Sequence, residues 1–152
     1  MSSLFDSLQL RDVTIPNRIF LAPMCQYQAV DGMPNDWHLV HYGARAAGGF
    51  GLVIAEATGV LPEGRITPNC CGLWNDEQAA AWQRIVDFGH SQGAKMAVQL
   101  QHAGRKASVY RDFEAGKSGS IPLGEGGWET IGPSAIPFPG LVAPREATQA
   151  EI

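Results

Sequence analysis

The sequence has no apolar run near the roughly 18 residues that a membrane-spanning helix needs, so we expect no membrane association. Cysteine is scarce. The three present include the adjacent pair Cys70 and Cys71, and they do not suggest a disulfide framework. Residues 1–6 lack the basic and apolar regions of a secretory signal, so we expect a reducing, cytoplasmic setting. A net charge of -4 disfavours a nucleic-acid-binding face. No GxGxxG or P-loop signature is present.

Glycine and proline, in contrast, are frequent. The 18 glycines and 10 prolines lie at the joints between apolar segments and do not form low-complexity stretches. A content of 45% hydrophobic and 17% charged residues is typical of a globular chain with a real core. The apolar segments between the joints therefore predict the elements of the fold.

Three continuous apolar runs predict strands buried on both faces, over residues 19–22, 52–55 and 95–100. A short hairpin or capping turn over residues 8–18 precedes them. Helical patterns separate the three runs. This alternation predicts parallel strands with helical crossovers.

The first predicted helix runs to about residue 47, with Asn35 or Asp36 as its cap and a Gly-Gly pair at its end. The second runs over residues 76–91, where Asn75 and Gln78 suit a capping box. The predicted buried faces are Leu39, Tyr42 and Ala46 in the first helix and Ala79, Trp82, Ile85, Val86 and Gly89 in the second.

The periodic pattern dissolves over residues 108–145, where Trp128 and Phe138 are lone aromatic anchors. A loop this long inside a compact domain is usually functional. Residues 146–152 predict a helix start. Three parallel strands leave an exposed sheet edge, and a (β/α)₈ barrel typically needs about 250 residues. We therefore expect residues or a second chain beyond this sequence to complete the sheet.

Candidate ligand-binding residues follow the predicted strands, because ligands gather at the C-terminal ends of parallel strands. These segments are residues 23–25, 56–58 and 99–102. Cys25 is either a thiol that faces a ligand or a buried small hydrophobe. The Gln99 amide needs hydrogen-bond partners if it is buried, and a bound heterocycle or a loop backbone would supply them.

Other residues allow weaker interpretations. His38 and His41 share a helix face, but no further ligand is placed beside them, so structural histidines are favoured over a metal site. The vicinal cysteines are weak signals of redox or metal chemistry. The 104–106 segment, Gly-Arg-Lys, suits an anion or an exposed charge pair.

Several segments together resemble the Old Yellow Enzyme family of FMN-dependent ene-reductases, in particular its bacterial thermophilic-like subclass. The similarity covers nearly the whole sequence in the order and spacing of that family. The matching segments are 17–19 (Asn-Arg-Ile), 22–27 (Ala-Pro-Met-Cys-Gln-Tyr), 37–42 (Trp-His-Leu-Val-His-Tyr), 56–58 (Glu-Ala-Thr), 62–67 (Pro-Glu-Gly-Arg-Ile-Thr) and 99–107 (Gln-Leu-Gln-His-Ala-Gly-Arg-Lys-Ala).

The resemblance implies a fold and a set of flavin-binding residues. The fold would be the N-terminal part of a TIM (β/α)₈ barrel in one domain over residues 1–152, with about three βα units, a capping hairpin and a variable cap at 108–145. Tyr27 would face the substrate. Ala22 occupies a position where relatives often carry Ser or Thr, so it offers no hydroxyl. The implied FMN-binding residues are Ala22, Pro23, Met24, Cys25, Ala57 and Gln99.

The implied activity is NADPH-dependent reduction of activated C=C bonds in α,β-unsaturated carbonyl or nitro compounds. The resemblance places the proton donor, the substrate-binding His pair and the phosphate-binding loops in later strands. We therefore expect no catalytic residue and no metal ligand in this sequence. We expect activity only with a complementary C-terminal fragment or chain, and a homo-oligomer of the completed unit. The alternatives are a non-catalytic structural half and another FMN-barrel reductase, such as a dihydroorotate or dihydrouridine enzyme.

Overall fold

The computed structural model describes residues 3–151 of the chain. It begins with an antiparallel hairpin of β1 (Leu8–Leu10) and β2 (Val13–Ile15), which confirms the predicted hairpin. A parallel sheet follows in the order β3 (Phe20–Leu21), β4 (Leu52–Gly59) and β5 (Lys95–Gln101). β4 and β5 extend beyond the predicted apolar runs because their last, more polar residues continue the ladder.

Two helices connect these strands and cover one face of the sheet. α1 (Asp36–Ala47) lies between β3 and β4, and α2 (Asp76–Ser91) lies between β4 and β5. α1 ends before Gly49, whose φ of 90° favours glycine. The predicted alternation of strand and helix is therefore confirmed, with parallel pairing throughout the three-stranded sheet.

The hydrophobic core lies between the sheet and the two helices. Tyr42 and Ala46 from α1 meet Trp82 and Ile85 from α2, and these pack on Val53 and other sheet residues. Each large apolar side chain buried in this way contributes roughly 1.5–3 kcal/mol to stability. Leu39 packs against the same core and is half-buried.

The prediction for Ala79 is wrong, because this residue is exposed and Gln78 is buried in its place. The Gln78 side chain accepts from the Trp74 N–H (2.9 Å) and donates to the Asp31 carbonyl (3.4 Å). Asn75 caps α2 as predicted by accepting from the Gln78 N–H, but Gln78 does not complete the capping box. The helix is therefore fixed to the preceding loops by a buried amide.

One side of β5 is unpaired within residues 3–151, since β4 is its only strand partner there. Val98 and Leu100 are exposed. An apolar groove of about 180 Å³ lies between β5 and α2, lined by residues that include Val86, Met96 and Val98. The exposed sheet edge expected from the sequence is therefore present.

Residues 108–145, the segment predicted as the cap, pack around Trp128. Its indole N–H donates to the Glu63 carbonyl (2.9 Å), and its backbone N–H donates to the Ser108 hydroxyl (2.9 Å). Strands β6 (Ile131–Gly132) and β7 (Arg145–Glu146) close the cap as a short parallel pair. Two aromatic–cation contacts accompany them, because Arg65 lies over the Trp128 ring and Lys106 over the Phe138 ring.

A helix start is predicted at 146–152. Within the described residues, this segment contains the end of β7 followed by a turn. Thr148 donates to the Glu151 carboxylate from both its N–H and its hydroxyl, each at 2.8 Å. Ile152 lies outside the described residues. None of the helices described here combines the length and apolar character needed to cross a membrane.

Candidate functional site

The predicted site residues lie in the last part of β4 and β5 and in the segment that follows β3, at one end of the sheet. Ala57 and Gln99 are direct partners in the parallel ladder of β4 and β5. On the other side of β4, the Ala57 backbone lies close to the Cys25 sulfur. Three of the predicted site residues therefore lie next to one another in a row: Gln99 in β5, Ala57 in β4 and Cys25 in the segment after β3.

The exposure of the predicted residues suits a surface for a ligand. Ala22, Met24 and Gln99 are exposed, and Pro23 is half-buried. Ala57 is buried. The row therefore combines a thiol, a primary amide and a backbone segment.

Burial raises the pKa of the Cys25 thiol to about 11, although hydrogen bonds from Ala57 and Tyr27 partly oppose this effect. Burial and the nearby Cys25 raise the pKa of Tyr27 to about 12. Both groups are therefore neutral at physiological pH. Cys25 offers a weak S–H donor, and its thiolate is scarce.

We predict that alkylation of Cys25 by iodoacetamide continues to accelerate above the pKa of an ordinary thiol. The thiolate is the nucleophile, so the rate should rise about 100-fold between pH 8 and pH 10, whereas a free thiol levels off near its pKa of about 8.5. Mass spectrometry of the tryptic peptide would follow Cys25, with glutathione as the control. A plateau below pH 9 would contradict the burial of this thiol.

Tyr27 has a strained backbone at this site. Its φ is 52°, in the left-handed region that bulky residues rarely adopt. Such conformations cost about 1–3 kcal/mol and persist where the surrounding structure enforces them, often at functional sites. The turn at Tyr27 directly follows Cys25 and Gln26, so the strain lies within the predicted site.

Beneath the row lies a buried polar cluster that sequence reasoning did not find. Glu56 accepts from the Tyr42 hydroxyl at 3.1 Å and from the Gln26 backbone N–H at 3.0 Å. His38 Nε2 lies 3.4 Å from the same carboxylate and 3.2 Å from Cys71 Sγ. The side chains of Glu56, His38 and Cys71 have no exposed surface. Only the Glu-Ala-Thr motif hinted at this cluster, since its glutamate follows an apolar strand.

Within residues 3–151, His38, Glu56 and Cys71 place potential metal-ligand atoms within 4.8 Å of one another. The hydrogen bonds of His38 oppose a metal-binding role. The Asn35 N–H donates to His38 Nδ1 (3.0 Å), while Asn35 Oδ1 accepts from Trp37. Nδ1 is therefore the acceptor, and Nε2 carries the proton that a metal would have to displace.

The vicinal cysteines are both fully buried. Burial raises the pKa of each thiol, and the Thr67 hydroxyl and N–H contact Cys70 Sγ at 3.5 and 3.4 Å. Buried neutral thiols react slowly. The structure therefore favours packing over redox chemistry for this pair.

The remaining predicted groups are separated from one another. His41 is half-buried on α1, and burial and the Arg45 charge lower its pKa. Arg105 and Lys106 are exposed in a short 3₁₀ turn, and Lys106 Nζ lies 4.4 Å from the Phe138 ring centroid. Anion binding by this turn stays a prediction.

The family model described as "NADH:flavin oxidoreductase / NADH oxidase family" matches residues 3–132. The chain belongs to this family. Among its relatives, an NADPH dehydrogenase of Listeria monocytogenes is 48% identical over 140 residues, which is 91% of this chain and 36% of that protein. An NADPH dehydrogenase of Listeria welshimeri is 55% identical over 109 residues, which is 70% of this chain and 32% of that protein.

Solved structures show the same fold. Morphinone reductase in complex with tetrahydroNAD has a TM-score of 0.81 at 29% identity, over 99% of this chain and 42% of that one. The Old Yellow Enzyme homologue from Zymomonas mobilis has a TM-score of 0.79 at 30% identity, over 99% and 41%. The predicted N-terminal part of a TIM barrel is therefore confirmed, and the chain spans about 40% of these barrels.

Membership of the flavin oxidoreductase family implies FMN and NAD(P)H as cofactors. The donor set at the strand ends fits the polar edge of a flavin. Gln99 offers an amide donor and acceptor, and Cys25 offers an S–H. Gln101 Nε2, two residues along β5, is buried and has no hydrogen-bond partner among residues 3–151. A buried amide of this kind is normally hydrogen-bonded, so Gln101 has a donor open to a further polar group next to the row.

Proposed function

We propose that this chain forms one side of the FMN pocket of an NADPH-dependent ene-reductase. The observation that carries the proposal is the row in which Ala57 and Gln99 pair between β4 and β5 and Cys25, after β3, lies beside Ala57. In this proposal Ala22, Pro23 and Met24 contact the flavin ring, and Tyr27 faces the substrate. When bound, FMN supplies hydride transfer from NADPH to an alkene conjugated to a carbonyl or nitro group.

Each residue contributes by positioning and by hydrogen bonding. Gln99 holds the pyrimidine edge of the flavin with both its amide donor and its acceptor. Ala57 offers its backbone, because its small side chain leaves room for the ring. Cys25 donates weakly at the carbonyl edge, so it modulates the flavin potential and takes no proton in the reaction. Charge that develops at these edges is stabilised by such preorganised donors.

We further propose that a complementary C-terminal part of the barrel covers β5. The unpaired edge of β5 offers backbone groups for a further parallel strand, and the adjoining apolar groove fits a helix. This part would supply the proton donor and the pair of residues that binds the substrate carbonyl. The cap at 108–145 would cover the mouth, and the completed unit would form a homo-oligomer.

We predict that Gln99→Leu weakens FMN binding by the completed barrel about tenfold, because removing one partner of a buried hydrogen bond costs about 1–3 kcal/mol. Gln92→Leu is the matched control, since Gln92 is exposed at the end of α2. Titration with FMN, followed by flavin fluorescence, measures the affinities. Equal affinities for the two variants would remove Gln99 from the pocket.

The reaction is tested separately by mixing the flavin-loaded protein with NADPH and 2-cyclohexenone under anaerobic conditions. Bleaching of the flavin by NADPH and its reoxidation by the enone support the proposed function. If NADPH bleaches the flavin but neither the enone nor a nitroalkene reoxidises it, the protein is a flavin oxidoreductase that acts on another class of substrate.

A further inference from the structure

β4 contains a bulge at Glu56, and this bulge lies directly before the residue proposed to contact FMN. Ala55 pairs with Val98 and Ala57 pairs with Gln99, so Glu56 has no partner in β5. A bulge places two residues of one strand opposite one of the next and changes the direction of the side chains that follow. Ala55 and Glu56 are both buried on the helix side of the sheet. After the bulge, the ladder resumes with Ala57, which pairs with Gln99 in the row.

Tyr42 replaces the strand partner that the bulge removes. The Glu56 backbone N–H donates to the Tyr42 hydroxyl oxygen at 2.9 Å. The same hydroxyl donates its proton to the Glu56 carboxylate at 3.1 Å. Both side chains are buried, so water cannot substitute for either contact. A phenylalanine would fill the same space in α1, and only the hydroxyl satisfies the bulged backbone.

The Glu56 carboxylate extends this connection to the neighbouring strand end. Its second oxygen accepts from the Gln26 N–H at 3.0 Å. Gln26 directly follows Cys25 in the sequence, and the Cys25 sulfur lies close to the Ala57 backbone. Tyr42 and Glu56 therefore hold both the bulge of β4 and the segment at Gln26.

We propose that Tyr42 and Glu56 are positioning residues that fix the bulge and thereby set Ala57 and Cys25 relative to the flavin. Neither side chain touches the reacting atoms. The proposal rests on the proposed function for its effect on FMN, whereas its effect on the protein backbone is independent of any cofactor. Tyr42→Phe tests it, because this change removes one oxygen and keeps the ring in the core.

In the flavin-free full-length protein, we expect Tyr42→Phe to accelerate amide hydrogen exchange at Glu56 and Ala57 and alkylation of Cys25 by about tenfold, the effect of one lost hydrogen bond of about 1.4 kcal/mol. Tyr110→Phe is the matched control. The Tyr110 hydroxyl also contacts a glutamate, Glu125, but in the cap and on the surface. Rates within twofold of the wild type for Tyr42→Phe would overturn the proposal.

In the flavin-loaded protein, Tyr42→Phe should also shift the flavin absorption maximum and the midpoint potential, while Tyr110→Phe leaves both unchanged. An unchanged spectrum and potential, together with faster exchange, would show that the bulge does not set the flavin environment and would overturn that part of the proposal. Failure of the wild-type protein to bind FMN would refute the proposed function, and the flavin-free rates would still decide the role of the bulge.

If Tyr42→Phe does not fold, two further measurements test whether Tyr42 and Glu56 fix the bulge. Glu56→Gln keeps the shape and one acceptor oxygen, so we expect acceleration of the same amides and of Cys25 alkylation, by a smaller factor than for Tyr42→Phe. In the wild type, the Glu56 amide should exchange as slowly as the amides of the β4 ladder. An unprotected Glu56 amide in the wild type would overturn the proposal without any variant.

Discussion

Glu56→Ala is expected to lower the free energy of unfolding by about 3–5 kcal/mol, because it leaves several buried donors without an acceptor and each such donor costs about 1–3 kcal/mol. The carboxylate accepts from the Tyr42 hydroxyl and the Gln26 N–H, and His38 Nε2 lies 3.4 Å away. Alanine leaves these donors buried and unpaired. It also leaves a cavity where the side chain was, which adds to the loss.

Urea denaturation followed by circular dichroism would measure this loss. Glu77→Ala is the matched control, because Glu77 is exposed in the first turn of α2, and its replacement should change stability by less than about 0.5 kcal/mol. The loss in free energy of unfolding for Glu56→Gln should lie between the losses for Glu56→Ala and Glu77→Ala. A loss of less than about 1 kcal/mol for Glu56→Ala would show that water or a neighbouring group replaces the carboxylate in the variant.

The parts of the fold that depend on local pattern could be predicted from the sequence. Both helices begin after the predicted asparagine caps, at Asn35 and Asn75, because a cap acts within one turn of the helix. The parallel strands followed from their apolar runs and from the order of the elements. The convergence of the strand ends followed from that topology, which is why Cys25, Ala57 and Gln99 were expected at one place.

The buried polar cluster could not be predicted, because its contacts join residues far apart in the sequence. Glu56 lies 30 residues from Gln26, and Cys71 lies 33 residues from His38. No helical or strand period connects such positions. The bulge depends on the Tyr42 hydroxyl, which accepts from the Glu56 backbone N–H, and sequence spacing indicates only that Tyr42 faces the core. The burial of Gln78 in place of Ala79 has the same origin, since its amide bonds are made with loop residues.

The cap shows a second limit of local pattern. Its glycines and prolines predicted a loop, but its order depends on close approaches between backbone segments. At Gly127, an added Cβ would lie 2.1 Å from the Ile121 carbonyl oxygen and 2.9 Å from the Pro122 carbonyl oxygen. Neither contact can be relieved by a side-chain rotation, because both involve backbone atoms. The loop can therefore close only with glycine at this position.

Gly127→Ala is consequently expected to destabilise the cap by about 3 kcal/mol, the upper part of the range for an added methyl group in a packed site. Trp128 is the next residue; its indole N–H holds the cap to Glu63 outside the cap, and its backbone N–H bonds to Ser108 within the cap. Displacement of the backbone at 127 would move this indole away from Arg65, whose guanidinium lies 5.2 Å from its ring centroid.

Limited proteolysis and quenching of tryptophan fluorescence by acrylamide would detect this release. Gly124→Ala is the matched control, because a Cβ at that residue of the same loop meets no atom within 4 Å. Gly127→Ala should be cleaved within 108–145 at least about tenfold faster than Gly124→Ala, since local opening that costs about 1.4 kcal/mol less is ten times more populated. Equal cleavage rates would mean that the Ile121–Gly127 approach does not hold the cap in place.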